Sequence, residues 1–150
     1  MNQSSNQPPK FVNILMVEDD PGDALLTRKA LSNGKVYNSL SVVGDGEEAF
    51  EFLHKKGKYA DAVRPDLILL DLNMPRMDGR EFLEKVKLDE NLRQIPVVVL
   101  TTSDADKDIV KTYDLQASCY ITKPVDLMKF TEVVKSLKNF WLSVVRFPEV

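Results

Sequence analysis

Five short apolar runs alternate with longer segments of helical periodicity, and this alternation restricts the fold more than any other feature of the chain. The runs are FVNILMV (11–17), SLSVV (39–43), DLILL (66–70), IPVVVLTT (95–102) and SCYIT (118–122). Strands as apolar as these are typical of a sheet that is buried on both faces. Their alternation with helices predicts a parallel sheet covered by helices, with right-handed crossovers. We therefore expect a single doubly wound α/β domain.

The helical segments between these runs have recognisable ends. They are expected at 21–32, within 44–59, and at 79–89, 106–115 and 126–144. Pro21 is typical of a first helical turn, Asp20 of the residue that caps it, and Gly57 of a helix end. Residues 1–10 are too polar to fold and are interpreted as a flexible tail. The single domain is expected to span 11–150, with an apolar extension from about 139.

Composition excludes several classes of protein. The 150 residues are 43% hydrophobic and 29% charged, with a net charge of −3 and the two signs interspersed. The chain lacks the clustered basic residues of a nucleic-acid-binding protein, and it has no apolar run near the ~18 residues of a membrane span. Cys119 is the only cysteine. It cannot form a disulfide within the chain, and it is typical of a reducing compartment, so we expect a cytoplasmic protein with neither nucleic-acid nor membrane partners.

Polar residues that could act in chemistry follow the predicted strands. Ligands bind beyond the carboxyl ends of the strands in such a sheet. These residues are Glu18, Asp19 and Asp20 after the first strand, Asp71 and Asn73 after the third, Thr101 at the end of the fourth, and Lys123 after the fifth. Asp71 directly follows four aliphatic residues, where a carboxylate without a partner is costly. It is therefore the strongest candidate for a functional residue.

Three carboxylates at one point require a cation. If the first and third strands are neighbours, Glu18, Asp19 and Asp71 converge, and at least one must take up a proton unless a cation is present. A few hard oxygen ligands suit Mg²⁺, which commonly completes its coordination with a phosphoryl oxygen. Lys123 and Thr101 would face the same oxygens, and Asp71 can act as the nucleophile. The pattern predicts Mg²⁺-dependent phosphoryl transfer to Asp71.

Each residue also has a simpler interpretation. Asp19 or Asp20 could cap the first helix, Thr101 could be an ordinary β-branched strand residue, and Lys123 a solvated lysine. His54 lies in the basic segment HKKGK and is interpreted as solvated. A functional site is favoured only because all of these residues occur together, at the ends of the predicted strands.

Four segments in this order resemble the motifs of the receiver domain of response regulators in two-component signalling. They are ILMVEDDPGD, PDLILLDLNMPRMDG, VVVLTTSD and CYITKP, and the resemblance covers about 11–138. It implies a flavodoxin-like (βα)5 fold with strand order 2-1-3-4-5. It also implies that Asp71 accepts a phosphoryl group from a phosphohistidine on a sensor histidine kinase.

The resemblance implies a role for each motif residue. Glu18 and Asp19 match the acidic pair, and Asp19, Asp71 and the Asn73 carbonyl match the ligands of Mg²⁺. Thr101 matches the switch hydroxyl, Tyr120 the switch aromatic and Lys123 the lysine of the family, while Lys123–Pro124 matches a peptide bond that receivers commonly hold in the cis form. The only cofactor implied is Mg²⁺.

A narrower resemblance concerns the partner. FLHKKGKYADAVRPDLILLDLNMP and LKNFWLSV resemble small single-domain regulators that partner bacterial phytochromes. The implied protein signals to a downstream protein and has no separate substrate to turn over. Alternatives are a phosphorelay intermediate and a receiver-like interaction module. An aspartyl phosphatase of the haloacid-dehalogenase type is disfavoured because position 73 is Asn rather than an acid, and a DNA-binding regulator because no further residues follow the last helix.

The last predicted helix and its tail carry an apolar arc wider than one sheet face can cover. The main stripe is Leu127, Phe130, Val134, Leu137, Trp141 and Val144, and it is extended by Val133, Phe140 and Phe147. The combined arc is roughly 160°, whereas a helix packed on a sheet needs only ~100°. We expect a homodimer through this surface. The alternative is that the tail folds back over its own domain.

Overall fold

A computed structural model describes residues 12–32, 38–72, 79–101 and 119–136 of the chain. Its five strands are β1 (Val12–Val17), β2 (Asn38–Val43), β3 (Leu67–Asp71), β4 (Val97–Thr101) and β5 (Cys119–Thr122). All neighbouring strands pair in parallel, in the order β2-β1-β3-β4-β5. The predicted sheet and its strand order are confirmed.

Helices follow the strands as the sequence predicts. They are α1 (Pro21–Ser32), α2 (Gly46–Leu53), α3 (Gly79–Leu88) and α4 (Leu127–Ser136), with a 3-10 turn at Gly57–Tyr59. The helix predicted at 106–115 and the last predicted helix beyond 136 lie outside the described residues. Within the described residues, no helix is long and apolar enough to cross a bilayer.

The end of α2 differs from the prediction. The helix ends at Leu53 rather than at Gly57. Beyond it, the N–H of Lys56 donates to the Glu51 carbonyl at 2.9 Å and the N–H of Lys55 donates to the Phe52 carbonyl at 3.2 Å, while Lys55 has φ 56°. These two bonds around a left-handed residue form a Schellman cap, which usually has glycine at that position. The prediction was wrong because a lysine occupies the position.

The core has two layers, one on each face of the sheet. Ile68 and Leu70 of β3 point to the layer formed with α2 and α3, which contains Phe52 and Phe82. Leu67 and Leu69 point to the opposite layer, formed with α1 and α4, which contains Leu31 and Phe130. Burial on both faces explains why β3 is continuously apolar, and it makes β3 a rigid support for Asp71 at its end.

Candidate phosphoacceptor site

The sheet brings three carboxylates together. Val17 of β1 pairs with Leu70 of β3, so Glu18 and Asp71 occupy the next positions on adjacent chain segments. Glu18 is 3% exposed and Asp71 6% exposed, whereas Asp19 is exposed. Ligand oxygens of these three residues lie within 4.8 Å of one another. The predicted convergence is therefore confirmed.

Lys123 contacts two of these acids, Glu18 and Asp71, and also a further acid, Asp23. Its Nζ is 2.7 Å from Glu18 Oε1, 3.0 Å from Asp23 Oδ2 and 3.2 Å from Asp71 Oδ2. Its side chain is only 14% exposed, so its interpretation as a solvated lysine is wrong. Burial by itself would lower the pKa of Lys123, but the close carboxylates of Glu18 and Asp23 and the charge of Asp71 raise it above its ordinary value. The ammonium therefore stays charged. The peptide bond Lys123–Pro124 is cis, as the resemblance implies.

The site also changes the protonation of Glu18. Its buried Oε1 faces Lys123 as an ion pair rather than in a regular hydrogen bond. Burial, followed by its hydrogen bond with Asp71, raises the pKa of Glu18 to about 7. Two carboxylates that share a site favour a proton between them unless a cation is supplied. Lys123 by itself is therefore not enough to balance the charge.

The donor set fits Mg²⁺. Glu18, Asp19 and Asp71 offer only hard carboxylate oxygens, and the buried Oε1 of Glu18 has the Lys123 ammonium beside it but no regular hydrogen bond. Mg²⁺ is commonly held by one or two carboxylates and keeps several waters, which the exposed side of Asp19 allows. Asn73, whose carbonyl is the fourth implied ligand, lies outside the described residues.

The two predicted switch residues lie on the neighbouring strands. Thr101 ends β4 and pairs with Thr122 of β5, one residue before Lys123. Tyr120 pairs with Val99 and is half-buried against the core layer on the side of α2 and α3. Thr101 therefore ends its strand at the same edge of the sheet as Asp71. The roles of both residues remain predictions.

Asp20 is a helix cap, as predicted. Its Oδ1 accepts hydrogen bonds from the N–H of Gly22 at 2.8 Å and of Asp23 at 3.3 Å. His54 is exposed, as predicted, although its Nε2 also lies 3.3 Å from Asp89 Oδ2 and its ring stacks on Phe50.

Two residues of the site were missed in the sequence. Asp23 contacts Lys123, but an acid in the first turn of a helix has an ordinary explanation in the helix dipole. Gly79 lies against the backbone of Asp71 and Leu72. The only signal for it was an Asp-Gly pair before a helix, which is also typical of many turns.

The fold and the site define a class of protein: a doubly wound domain that presents acids and a lysine at the carboxyl edge of its sheet. Residues 14–135 match the family described as response regulator receiver domain. Response regulator Rcp1 of Synechocystis sp. is 42% identical over 148 residues, which is 99% of each chain. The chain therefore belongs to the response regulator receiver family, and it is a signalling protein of two-component systems.

Solved structures agree with this assignment. The bacteriophytochrome response regulator AtBRR has a TM-score of 0.82 at 39% identity, covering 89% of this chain and 96% of its own. The phosphorylated cyanobacterial phytochrome response regulator RcpA has a TM-score of 0.71 at 47% identity, with 93% and 99% covered. The Mn²⁺-bound form of Rcp1 has a TM-score of 0.70 at 41% identity, with 94% and 100% covered. The chain is thus similar to phytochrome-associated response regulators.

Proposed function

We propose that Asp71 accepts a phosphoryl group from the phosphohistidine of a sensor histidine kinase, with Mg²⁺ held by Glu18, Asp19, Asp71 and the Asn73 carbonyl. One observation carries this proposal. The Asp71 carboxylate ends a fully buried strand, 3.2 Å from the Lys123 ammonium and beside two further acids. The buried strand holds this carboxylate rigidly. The carboxylate contacts the Lys123 ammonium, and it lies close to the oxygens of Glu18 and Asp19, which are proposed to bind the metal with it.

In the transfer, an oxygen of Asp71 attacks phosphorus. The new O–P bond forms as the P–N bond breaks, and the electron pair of that bond returns to the histidine of the kinase. Mg²⁺, when bound, neutralises charge on the phosphoryl oxygens. Lys123 supplies a second positive charge, and the Thr101 hydroxyl is proposed as a hydrogen-bond donor to the same oxygens. A carboxylate nucleophile of this kind needs no general base, because it attacks in its ionised form.

Acetyl phosphate tests this proposal. Wild type incubated with acetyl phosphate and Mg²⁺ should gain the mass of one phosphate, which hydroxylamine removes and EDTA prevents. Asp71→Asn should abolish the gain. Asp66→Asn is the matched control, since Asp66 lies at the other end of β3 and accepts a bond from the N–H of Asn13 at 2.9 Å. Labelling of Asp71→Asn at the wild-type rate would show that the phosphoacceptor is another residue.

Phosphorylation is proposed to signal to a downstream protein by a conformational change of Thr101 and Tyr120. The phosphoryl group draws Thr101 towards it, and Tyr120 moves into the space that is vacated, which couples the site to the surface near β5. The partial burial of Tyr120 supports this step, because a ring that is not fully enclosed by the core loses fewer packing contacts when it rotates. Crystals of the phosphorylated and free protein test this step. The same Tyr120 rotamer in both would contradict it and favour a phosphorelay intermediate.

The kinase is proposed to dock on α1, beside the site. Two consecutive residues of this helix, Leu25 and Leu26, are 51% and 57% exposed. Leu25 borders a groove with Arg28 and Val42, while Leu26 borders a small crevice with Pro124. Neighbouring exposed leucines on a helix fit an apolar helical partner. Their closeness to Asp23 and Lys123 would place the donor near Asp71.

Introducing a charged residue on this surface distinguishes kinase docking from the chemistry of phosphoryl transfer. Leu26→Asp should slow phosphotransfer from the cognate kinase by about tenfold or more while leaving labelling by acetyl phosphate unchanged. Leu88→Asp is the matched control, because Leu88 is 83% exposed at the last residue of α3. Equal loss of transfer in both variants would rule out α1 as the specific docking surface.

A phytochrome-type kinase is the proposed donor, and the protein is proposed to act in the cytoplasm without turnover of a separate substrate. The similarity to AtBRR and RcpA supports the kinase type. Phosphotransfer profiling against a panel of sensor kinases tests it, with the phytochrome kinase expected to transfer fastest. Faster transfer from a kinase of another type would contradict the proposal.

The domain limits are also proposed: a tail at 1–10, a single receiver domain over 11–150 with an apolar extension from about 139, and a homodimer formed through that extension. The apolar arc of the sequence supports the dimer. Phe130, on the main stripe, is fully buried in the core layer of α1 and α4. The burial of Phe130 supports packing of the stripe against the domain itself, and the flank of Val133, Phe140 and Phe147 is proposed as the surface for the partner.

A further inference from the structure

Asp23 contacts the lysine of the site but is not one of the clustered carboxylates. Within the part of the chain that the structure describes, Lys123 contacts three acids: Glu18, Asp23 and Asp71. Among the described residues, Glu18 and Asp71 belong to the group whose oxygens lie within 4.8 Å of one another, and Asp23 does not. Asp23 therefore binds the ammonium from the side of α1, away from the oxygens proposed to hold the metal.

The position of Asp23 is not explained by helix capping. An acid three residues after a cap often bonds back to the N–H of the cap residue. Here the N–H of Asp20 instead donates to Glu18 Oε2 at 3.3 Å, and Asp20 Oδ1 caps the first turn. The Asp23 carboxylate points to Lys123, with 3.0 Å between Oδ2 and Nζ. The start of α1 is thus complete without this carboxylate.

The Lys123 ammonium and a divalent cation need the same oxygens. Nζ lies 2.7 Å from Glu18 Oε1 and 3.2 Å from Asp71 Oδ2. A lysine ammonium is a compact charge on a flexible stem with three N–H donors, so without Asp23 its charge would be directed at these two acids alone. An ammonium directed in that way would repel the metal.

We propose that Asp23 is a positioning residue: it gives the Lys123 ammonium a third partner on the α1 side of the site, so that Mg²⁺ displaces the ammonium from Glu18 and Asp71 more readily. This inference rests on the proposed role of those two residues as metal ligands. It extends that role to a residue on a different element, and it makes the first turn of α1 part of the machinery that sets metal affinity.

Isothermal titration with Mg²⁺ tests the inference without any phosphodonor. Asp23→Asn should raise the Mg²⁺ dissociation constant by roughly three- to tenfold. Asp20→Asn is the matched control, because it removes the same charge in the same turn while asparagine still caps the helix. It should change the constant by less than about twofold. Equal shifts in the two variants would mean that total charge, not the contact with Lys123, sets the affinity, and would overturn the inference.

A double-mutant cycle checks that Asp23 acts through Lys123. In a Lys123→Met background the ammonium is absent, so Asp23→Asn should no longer weaken Mg²⁺ binding beyond the effect of Asp20→Asn. A shift of the same size in that background would overturn the proposal. Failure of wild type to bind Mg²⁺ would overturn it together with the metal assignment. Wild type that binds Mg²⁺ but does not become phosphorylated would overturn the proposed function and leave the role of Asp23 standing.

Discussion

Gly79, the first residue of α3, lies directly against Leu72. Its N–H donates to the Leu72 carbonyl at 2.9 Å, and a Cβ on Gly79 would lie 2.5 Å from Leu72 Cα and 2.6 Å from the Asp71 carbonyl oxygen. Both of these opposing atoms belong to the backbone, so neither can move aside as a flexible side chain would. The start of α3 therefore fixes the main chain that carries the proposed phosphoacceptor.

A methyl group at this contact should disturb both stability and the site. We expect Gly79→Ala to lower the free energy of unfolding by about 1–3 kcal/mol, as overpacked sites do, and to slow labelling of Asp71 by acetyl phosphate. Gly44→Ala is the matched control, since among the described residues its Cβ would meet only Glu48 Oε1, at an ordinary 3.5 Å. Urea unfolding and the labelling rate measure the two effects. Equal stability of the two variants would contradict the steric argument.

Lys55 stores strain at the end of α2. It has φ 56°, a conformation in which a Cβ costs roughly 1–2 kcal/mol and glycine costs little. Lys55→Gly should therefore stabilise the protein by about 1 kcal/mol in urea unfolding. Lys55→Ala is the matched control, because it removes the same charge but keeps the Cβ, and it should give no comparable gain.

Gly57 allows the opposite substitution, in which a glycine at positive φ is replaced by a residue with a Cβ. It also has φ 56°, and a Cβ there would meet no atom of the described residues within 4 Å. Gly57→Ala should lower the free energy of unfolding by about 1 kcal/mol through backbone strain alone. An unchanged urea midpoint would indicate that the turn relaxes to another conformation.

The sheet and most of the site were predictable because they depend on local patterns. The aliphatic run that ends at Asp71 indicates a buried strand, and parallel pairing brings strand ends to one edge. The contact between Asp23 and Lys123 was not predictable, since it joins residues 100 positions apart and depends on how α1 packs beside the end of β5. The end of α2 was missed for a different reason: its left-handed residue, Lys55, is not a glycine.

Stability should depend on pH through Glu48. Its Oε2 accepts a hydrogen bond from the Tyr59 hydroxyl, and its Oε1 accepts from the N–H of Gly44 at 2.8 Å. These two bonds, that of Tyr59 first, lower the pKa of the Glu48 carboxyl below its ordinary value. A carboxyl with a lowered folded-state pKa stabilises the protein above its unfolded pKa and loses that contribution as pH falls through the folded value.

Glu48→Gln should therefore destabilise the protein at pH 7, with a smaller difference from wild type at about pH 3. Urea midpoints at the two pH values measure this. Glu47→Gln is the matched control, since it changes the neighbouring position in the same turn. In a Tyr59→Phe background the effect of Glu48→Gln should shrink. A difference that is the same at both pH values would assign the effect to packing rather than to charge.

The apolar flank at the end of the chain should make the protein a dimer. Sedimentation equilibrium of wild type at tens of micromolar should give twice the monomer mass, because Phe140 and Phe147 would otherwise leave a wide apolar arc in water. A chain ending at Asn139 should be monomeric. Phe140→Asp should weaken the dimer by at least tenfold, whereas Asn139→Asp, which adds the same charge at the adjacent position outside the flank, should not. A monomeric wild type, with and without phosphorylation, would show instead that the tail folds back over its own domain.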